Sequence, residues 1–532
     1  MLDFLSLPPE LIEKITNELE GIHKKTLRLT CKLLNAIVEH QLFANIVIKY
    51  SNYQPDLICE QLEALAIRST TAGRHARSLE IRGFSPDSHL GARSRSRSVE
   101  RARGSRSRSR GPLAETHQSN KGILTYLGQA ISSLSKVQEV WWHIGVNDPQ
   151  WAQIVVMDSL VSLPFLEVLR ISLGGAPASS LRLEQLTNMR KIAIAGYCAD
   201  YRQDIVAGLG TLILNSPQLT YLDVGFKGRA NGNDLSTLHD LLSDVPPESP
   251  LALTHLALQN WGVRLDSVIL PNLRSLETLY LHHNVDTRSS PPVDLDEAAI
   301  EELVARTAAC CSSNDEIWDA LREEGIWLKE ISTDGVTAAF LDYLASYSGL
   351  QKLKLSSAPV NDGLASDKLA MQFYDEVLPR HAGSMVSLEI TPEYEGKWCF
   401  GRHNCASLLH CTNLETLKIH INSAEINRAK KQDVWTLLEI ADDLPHLSHL
   451  TIASADSESN RGGRSGNPSI GHIYRVNKEI TESVTTFGPL DASAISKVIT
   501  TPARDYVARS DQNAGGGLWY RSSMSGGSHL EL

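Results

Sequence analysis

The chain has 532 residues, 42% of them hydrophobic but only 6% aromatic, and carries a formal net charge of −11. That apolar content supplies a large core and excludes a wholly disordered chain, and the length allows two to four domains or one small domain with a solenoid. The acidic balance argues against general nucleic-acid binding.

Eight cysteines (31, 59, 198, 310, 311, 399, 405 and 411) are scattered along the sequence. Disulfide scaffolds are shorter and denser in cysteine, so these are expected to be reduced thiols. The first residues include Asp3, Glu10, Glu13 and Lys14 and form no unbroken apolar run, so a signal peptide is not expected. No uncharged apolar stretch is long enough for a membrane span. The expected location is cytoplasmic and/or nuclear.

The start of the chain is the densest in pattern. Leu7, Pro8, Pro9 and Glu10 open it, with both prolines where a first helical turn tolerates a missing N–H. Leu11, Ile12, Ile15 and Leu19 follow at helical spacing, and Gly21 is expected to end that helix. Residues 24–30 read as a second short helix containing Leu27. Residues 32–43 read as a third, with Leu33, Leu34, Ile37, Val38 and Leu42. Residues 46–48 read as a strand and 56–68 as a further helix.

These residues resemble the F-box. The family pattern is Leu-Pro-x-Glu-Leu, then apolar residues at helical spacing, then a Leu-x-x-Leu-x-x-Val-Cys-Lys-x-Trp segment. Leu7, Pro8, Glu10, Leu11, Ile12, Ile15 and Leu19 match the first part. Leu27, Cys31, Lys32, Asn35 and Ile37 follow the second. The sequence departs at Leu34, where the family usually has tryptophan, and at Thr30, where it has valine. The resemblance covers about 45 residues. It implies docking on the Skp adaptor subunit of a cullin ubiquitin ligase through Leu7, Pro8, Pro9, Glu10, Leu11, Ile12, Ile15, Leu19, Leu27, Cys31, Leu34 and Ile37. Three short helices cannot bury both of their faces among themselves, which leaves an apolar edge for a partner. The other reading is a helical cap that closes the first unit of a repeat array.

Residues 91–111, GARSRSRSVERARGSRSRSRG, carry eight arginines against one glutamate, so the rest of the chain is more acidic than its total. Almost no apolar side chain is present, and a disordered insertion is expected. The alternation resembles the arginine–serine segments of splicing-related proteins. By that resemblance Ser94, Ser96, Ser98, Ser105, Ser107 and Ser109 are candidate phosphorylation sites, each phosphate adding about −1.5 to −2 charge. The plainer reading is a tolerated low-complexity loop.

Beyond the insertion, units of LxxLxL shape recur. They begin near Leu79, Val137, Leu166, Met189, Leu219, Leu253, Leu276, Leu328, Leu350, Met385, Leu414 and Leu447, with several intervals of 22 to 35 residues. Helical patterns lie between them at 122–134, 154–161, 205–215, 234–244, 336–347, 368–380 and 433–442. Strand alternating with helix at this period predicts an α/β repeat array of horseshoe form, whose between-leucine side chains, such as Thr220, Tyr221 and Asp223, form one exposed face. The units resemble the degenerate leucine-rich repeats of fungal F-box proteins, although the asparagine that usually turns the strand is nearly absent, with Asn284 the best candidate.

The expected organisation is therefore α/β. An F-box-like helical module occupies 1–50, and a linking helix with the first repeat occupies 51–90. The arginine/serine insertion occupies 91–120. A leucine-rich-repeat-like solenoid covers 121–453, interrupted by a helical insertion at about 288–325, and a flexible tail covers 454–532. Trp141 and Trp142 are expected to pack in a strand. The one cysteine/histidine cluster, Cys399, His403, Cys405, His410 and Cys411, lacks the close cysteine pair of a zinc site, and neither metal nor cofactor is expected. No phosphate-cradling glycine loop or nucleophile elbow is present in the sequence. The expectation is a non-enzymatic substrate adaptor of a Skp–cullin–F-box ligase, with no membrane role. The alternatives are a free-standing leucine-rich-repeat scaffold and an arginine/serine-regulated RNA-associated factor.

Overall fold

The computed structural model describes residues 7–49, 55–84, 113–175, 181–197, 202–227, 236–283, 312–356, 362–423, 432–461, 470–488, 497–510 and 517–523. The arginine/serine run with its six serines, Cys310, Cys311 and Asn284 lie outside them. The chain divides into two compact units, Met1–Leu253 and Thr254–Leu532.

The first unit opens with helices α1 (Pro9–Asn17), α2 (Gly21–Leu27) and α3 (Lys32–Phe43), followed by strand β1 (Asn45–Lys49) and helix α4 (Pro55–Ala66). Gly21 does not end the first helix, as the sequence suggests. It is the first residue of α2, while α1 stops at Asn17. Five further strands complete this unit: β2 (Ser78–Arg82), β3 (Glu139–Ile144), β4 (Val168–Gly174), β5 (Lys191–Tyr197) and β6 (Tyr221–Lys227). Every pairing from β1 to β6 is parallel and sequential. Helices Leu113–Ser133, Gln150–Val161 and Arg202–Leu214 lie between the strands in sequence.

The strands form where the leucine units predict them, and register explains why. In a strand, alternate residues face the same way. The second and third apolar positions of each unit therefore point inward, and stacking aligns them. One column runs Ile46, Leu79, Val140, Leu169, Ile192 and Leu222. The next runs Ile48, Ile81, Trp142, Ile171, Ile194 and Val224. All twelve are buried. Fully burying one such side chain contributes about 1.5–3 kcal/mol.

The second unit repeats the arrangement. Strands β7 (His255–Gln259), β8 (Thr278–His282), β9 (Glu330–Thr333), β10 (Lys352–Ser356), β11 (Ser387–Thr391), β12 (Thr416–Ile421), β13 (His449–Ser454) and β14 (Val498–Thr500) pair in parallel. Leu256, Leu279, Ile331, Leu353, Leu388, Leu417, Leu450 and Ile499 make its inner column, all buried. Helices Asn314–Glu323 and Ala338–Ala345 start on side-chain caps. Ser313 and Glu316 make a reciprocal capping box, and Thr337 accepts from the Phe340 N–H.

The described residues 470–488, 497–510 and 517–523 carry a helix and three strands, in place of a wholly flexible tail. Helix Ile470–Thr486 buries Val476, Ile480 and Val484. β14 extends the parallel sheet, and β15 (Asp505–Ser510) and β16 (Leu518–Ser522) add to it in antiparallel fashion. The apolar spacing of 476, 480 and 484 is helical, but the glycine- and serine-rich segments around it mask the pattern. The helix expected at 234–244 shortens to the single turn His239–Leu242.

Leu417→Ala, in the middle of the inner column, is expected to lower stability by about 2–5 kcal/mol. Thr416→Ala, one residue earlier and facing outward, should stay within about 0.5 kcal/mol. Urea unfolding of the two variants beside the parent checks both.

Candidate interaction surfaces

Two surfaces follow from this fold: the outer side of the N-terminal helices and the outward rows of the strands. In the helices, α1 turns Ile12 and Thr16 inward and α3 turns Leu34 and Val38 inward, each pair four residues apart on one helical face. Polar contacts join α1 to α3. The Gln41 amide donates to Thr16 Oγ1 at 2.9 Å and to the Glu13 carbonyl at 3.3 Å, and His40 Nε2 lies 3.0 Å from the Glu13 carboxylate.

Adjacent faces of the same helices carry exposed apolar residues. Leu11 and Ile15 on α1 are 45% and 44% exposed. Ile22, Leu29 and Leu33 are also exposed, and α2 buries no residue at all. Among the twelve residues that the sequence assigns to partner docking, Pro8, Pro9, Glu10, Leu11 and Ile15 are exposed. Leu7, Leu19, Leu27, Cys31 and Ile37 are half-buried. Ile12 and Leu34 lie inside. These two hold the helices together and are not available to a partner in this arrangement. The sequence resemblance, which treats every position of the motif alike, does not separate the two sets.

On the first unit's strands, Trp142 is buried while Trp141 faces outward. The Arg170 guanidinium lies 4.8 Å from the Trp141 ring and 5.8 Å from Tyr221. Glu139 accepts from Trp141 Nε1 at 2.6 Å and from Arg170 Nε at 3.3 Å. Burial pushes the Asp223 carboxyl above its ordinary value, with Arg170 opposing.

On the second unit's strands, Glu330 accepts from Tyr280 Oη and pairs with Lys352 at 3.1 Å. Glu389 lies between Lys354 at 3.3 Å and Lys418 at 2.7 Å. Burial alone would raise the Glu389 carboxyl, but the two lysines, Lys418 first, hold it below the ordinary carboxylate value. His282 Nε2 lies 2.9 Å from Ser332 Oγ. His420 Nδ1 donates to the Pro392 carbonyl at 3.0 Å. Burial pushes the His420 imidazole down to about 4, so it is neutral near pH 7.

Among the described residues, the histidines and cysteines of this stretch form no group of three that could hold a metal ion. Cys399 and Cys411 are buried, and burial pushes both thiols up to about 12. His403 Nε2 donates to the Lys397 carbonyl at 2.7 Å, and Cys405 Sγ lies 3.4 Å from the Gly401 carbonyl. Among the described residues no helix is long and apolar enough to cross a membrane.

No protein-family model and no curated protein sequence matches the chain. Among solved structures, a leucine-rich-repeat protein of Leptospira interrogans is similar at 12% identity, covering 66% of this chain and 90% of that one, with a TM-score of 0.21. The TLR13–ssRNA13 complex is similar at 11% identity, covering 72% of this chain and 58% of that one, with a TM-score of 0.18. The repeat assignment rests on the strand registers of the chain itself.

His420 has a folded pKa below its unfolded one, so the unfolded state takes up the extra proton first. Stability is full above about pH 6.5 and falls as the pH drops toward about 4, by on the order of 3 kcal/mol from this group. His420→Gln, which keeps an amide donor for Pro392, should flatten that part of the profile. Chemical denaturation at several pH values between these limits reads the difference.

Proposed function

We propose that the chain is a non-enzymatic adaptor of a Skp–cullin–F-box ubiquitin ligase, working in the cytoplasm or nucleus. On this reading the outer side of α1 and α3 docks the Skp subunit, and the outward strand rows hold a protein substrate near the ligase. The observation that carries it is that Leu11 and Ile15 on α1 and Leu33 on α3 are exposed although these helices already turn Ile12, Thr16, Leu34 and Val38 inward, with Ile22 of α2 and Leu29 of the turn before α3 exposed as well. Apolar groups gathered on a small module are what a partner interface uses. Tethering a substrate beside the ligase raises its effective concentration without any catalytic residue in this chain.

A second reading, a free-standing scaffold with these helices as a cap, draws on how the helices join the sheet. Thr71 donates to Glu39 of α3, and β1 follows α3 after a single residue. A cap must also shield the end of a repeat array. It does not require Leu11 and Ile15 to stay exposed.

Leu7→Ala/Pro8→Ala and Leu11→Glu/Ile15→Glu, each made in the full chain, are expected to weaken capture by purified Skp subunit at least roughly tenfold, with the unfolding midpoint kept. Such a loss corresponds to about 1.4 kcal/mol or more of binding free energy. Undiminished capture by both variants, or no capture by the parent chain, would leave the cap reading.

A further inference from the structure

The outward positions of β8 to β13 carry Lys352, Lys354 and Lys418 against Glu330 and Glu389, with no aspartate, in a chain whose total charge is −11. Register places Ser332, Lys354, Glu389, Lys418 and Thr451 side by side in one row. Ser356 and Thr391 are neighbours in the next row. Both carboxylates are already served. Glu330 accepts from Tyr280 and Lys352, while a single carboxylate, Glu389, is shared by two ammonium groups. Lys354 and Lys418 nevertheless remain 46% and 39% exposed. Three ammonium groups thus share two carboxylates on this face, while the Ser332 hydroxyl meets His282 and the Thr391 hydroxyl donates to the Leu355 carbonyl.

We infer that the outward face of β10 to β12, centred on Lys354 and Lys418, receives an extended acidic peptide segment of the protein that the array binds. Charge complementarity selects the occupant, because ammonium groups in excess of carboxylates call for carboxylates from outside. Spacing fits as well. Lys354 and Lys418 sit two strands apart, roughly 10 Å, and an extended segment presents same-side residues about 7 Å apart. Two acidic side chains of one segment can therefore approach both lysines. The inference rests on the adaptor reading of the array and names its partner class. It involves none of the α1 to α3 residues, so its failure leaves Skp docking untouched.

The test uses the full chain and a fluorescein-labelled peptide of five Glu-Ser repeats, with a Gln-Ser peptide of equal length as control. Anisotropy at low ionic strength is expected to show binding of the Glu-Ser peptide alone. Lys354→Gln/Lys418→Gln should weaken it roughly tenfold or more, and Lys354→Arg/Lys418→Arg should keep it. Glu389→Gln, which releases both lysines from their shared carboxylate, should tighten it severalfold. Deleting residues 91–111 should leave it in place, which separates this face from the arginine-rich run. Three results would overturn the inference: no binding by the parent chain, equal binding by the lysine-to-glutamine variant, or binding that disappears only with the 91–111 deletion. A Skp pull-down on the same preparations reads the adaptor proposal separately.

Discussion

Within each unit, from β1 to β6 and from β7 to β13, successive repeats are tied by one carbonyl that accepts two successive backbone N–H groups. In the first unit the Ala44 carbonyl receives Arg77 and Ser78, Arg77 receives Gln138 and Glu139, Gln138 receives Glu167 and Val168, Glu167 receives Arg190 and Lys191, and Arg190 receives Thr220 and Tyr221. The second unit does the same from Thr254 through Glu277, Lys329, Gln351, Val386 and Glu415. This fork sits just before each strand and fixes where the strand begins. A slip of one residue would send every leucine to the outward face.

With the registers fixed, the outward rows become a surface whose composition is independent of the core. Leucine and isoleucine columns set stability, while the alternate residues set what the face presents. The first unit presents Trp141, Arg170 and Tyr221, and the second presents lysines, hydroxyls and neutral imidazoles. The N-terminal helices share this separation of roles within a single turn of helix. Ile12 serves packing and Leu11 serves the outside, one residue and about 100° apart.

Much of the fold was legible in the sequence. Each LxxLxL unit from Leu79 to Leu447 precedes or overlaps a strand, because the apolar alternation reports directly on which side is buried. Helix α3 was legible to its ends. The misses have local causes. Gly21 reads as a stop because glycine often follows a helix, yet here it opens the next one. The strands β14 to β16 were hidden because β14 is three residues long and β15 and β16 alternate weakly. Of the candidate docking residues, which ones face outward depends on the crossing of α1 with α3. No spacing rule gives that, and so Ile12 and Leu34 could not be told from Leu11 and Ile15 beforehand. The pairing of Lys354 and Lys418 across Glu389 was equally invisible, since the three lie far apart in sequence and meet only through register.

The outer side of α1 and α3 is the partner-docking surface we propose. Hydrogen–deuterium exchange of the full chain, with and without saturating purified Skp subunit, tests it most directly. The account predicts added protection concentrated in α1 and α3, with the strand registers of both units unchanged. Protection confined to the strands, or no added protection anywhere, would contradict it.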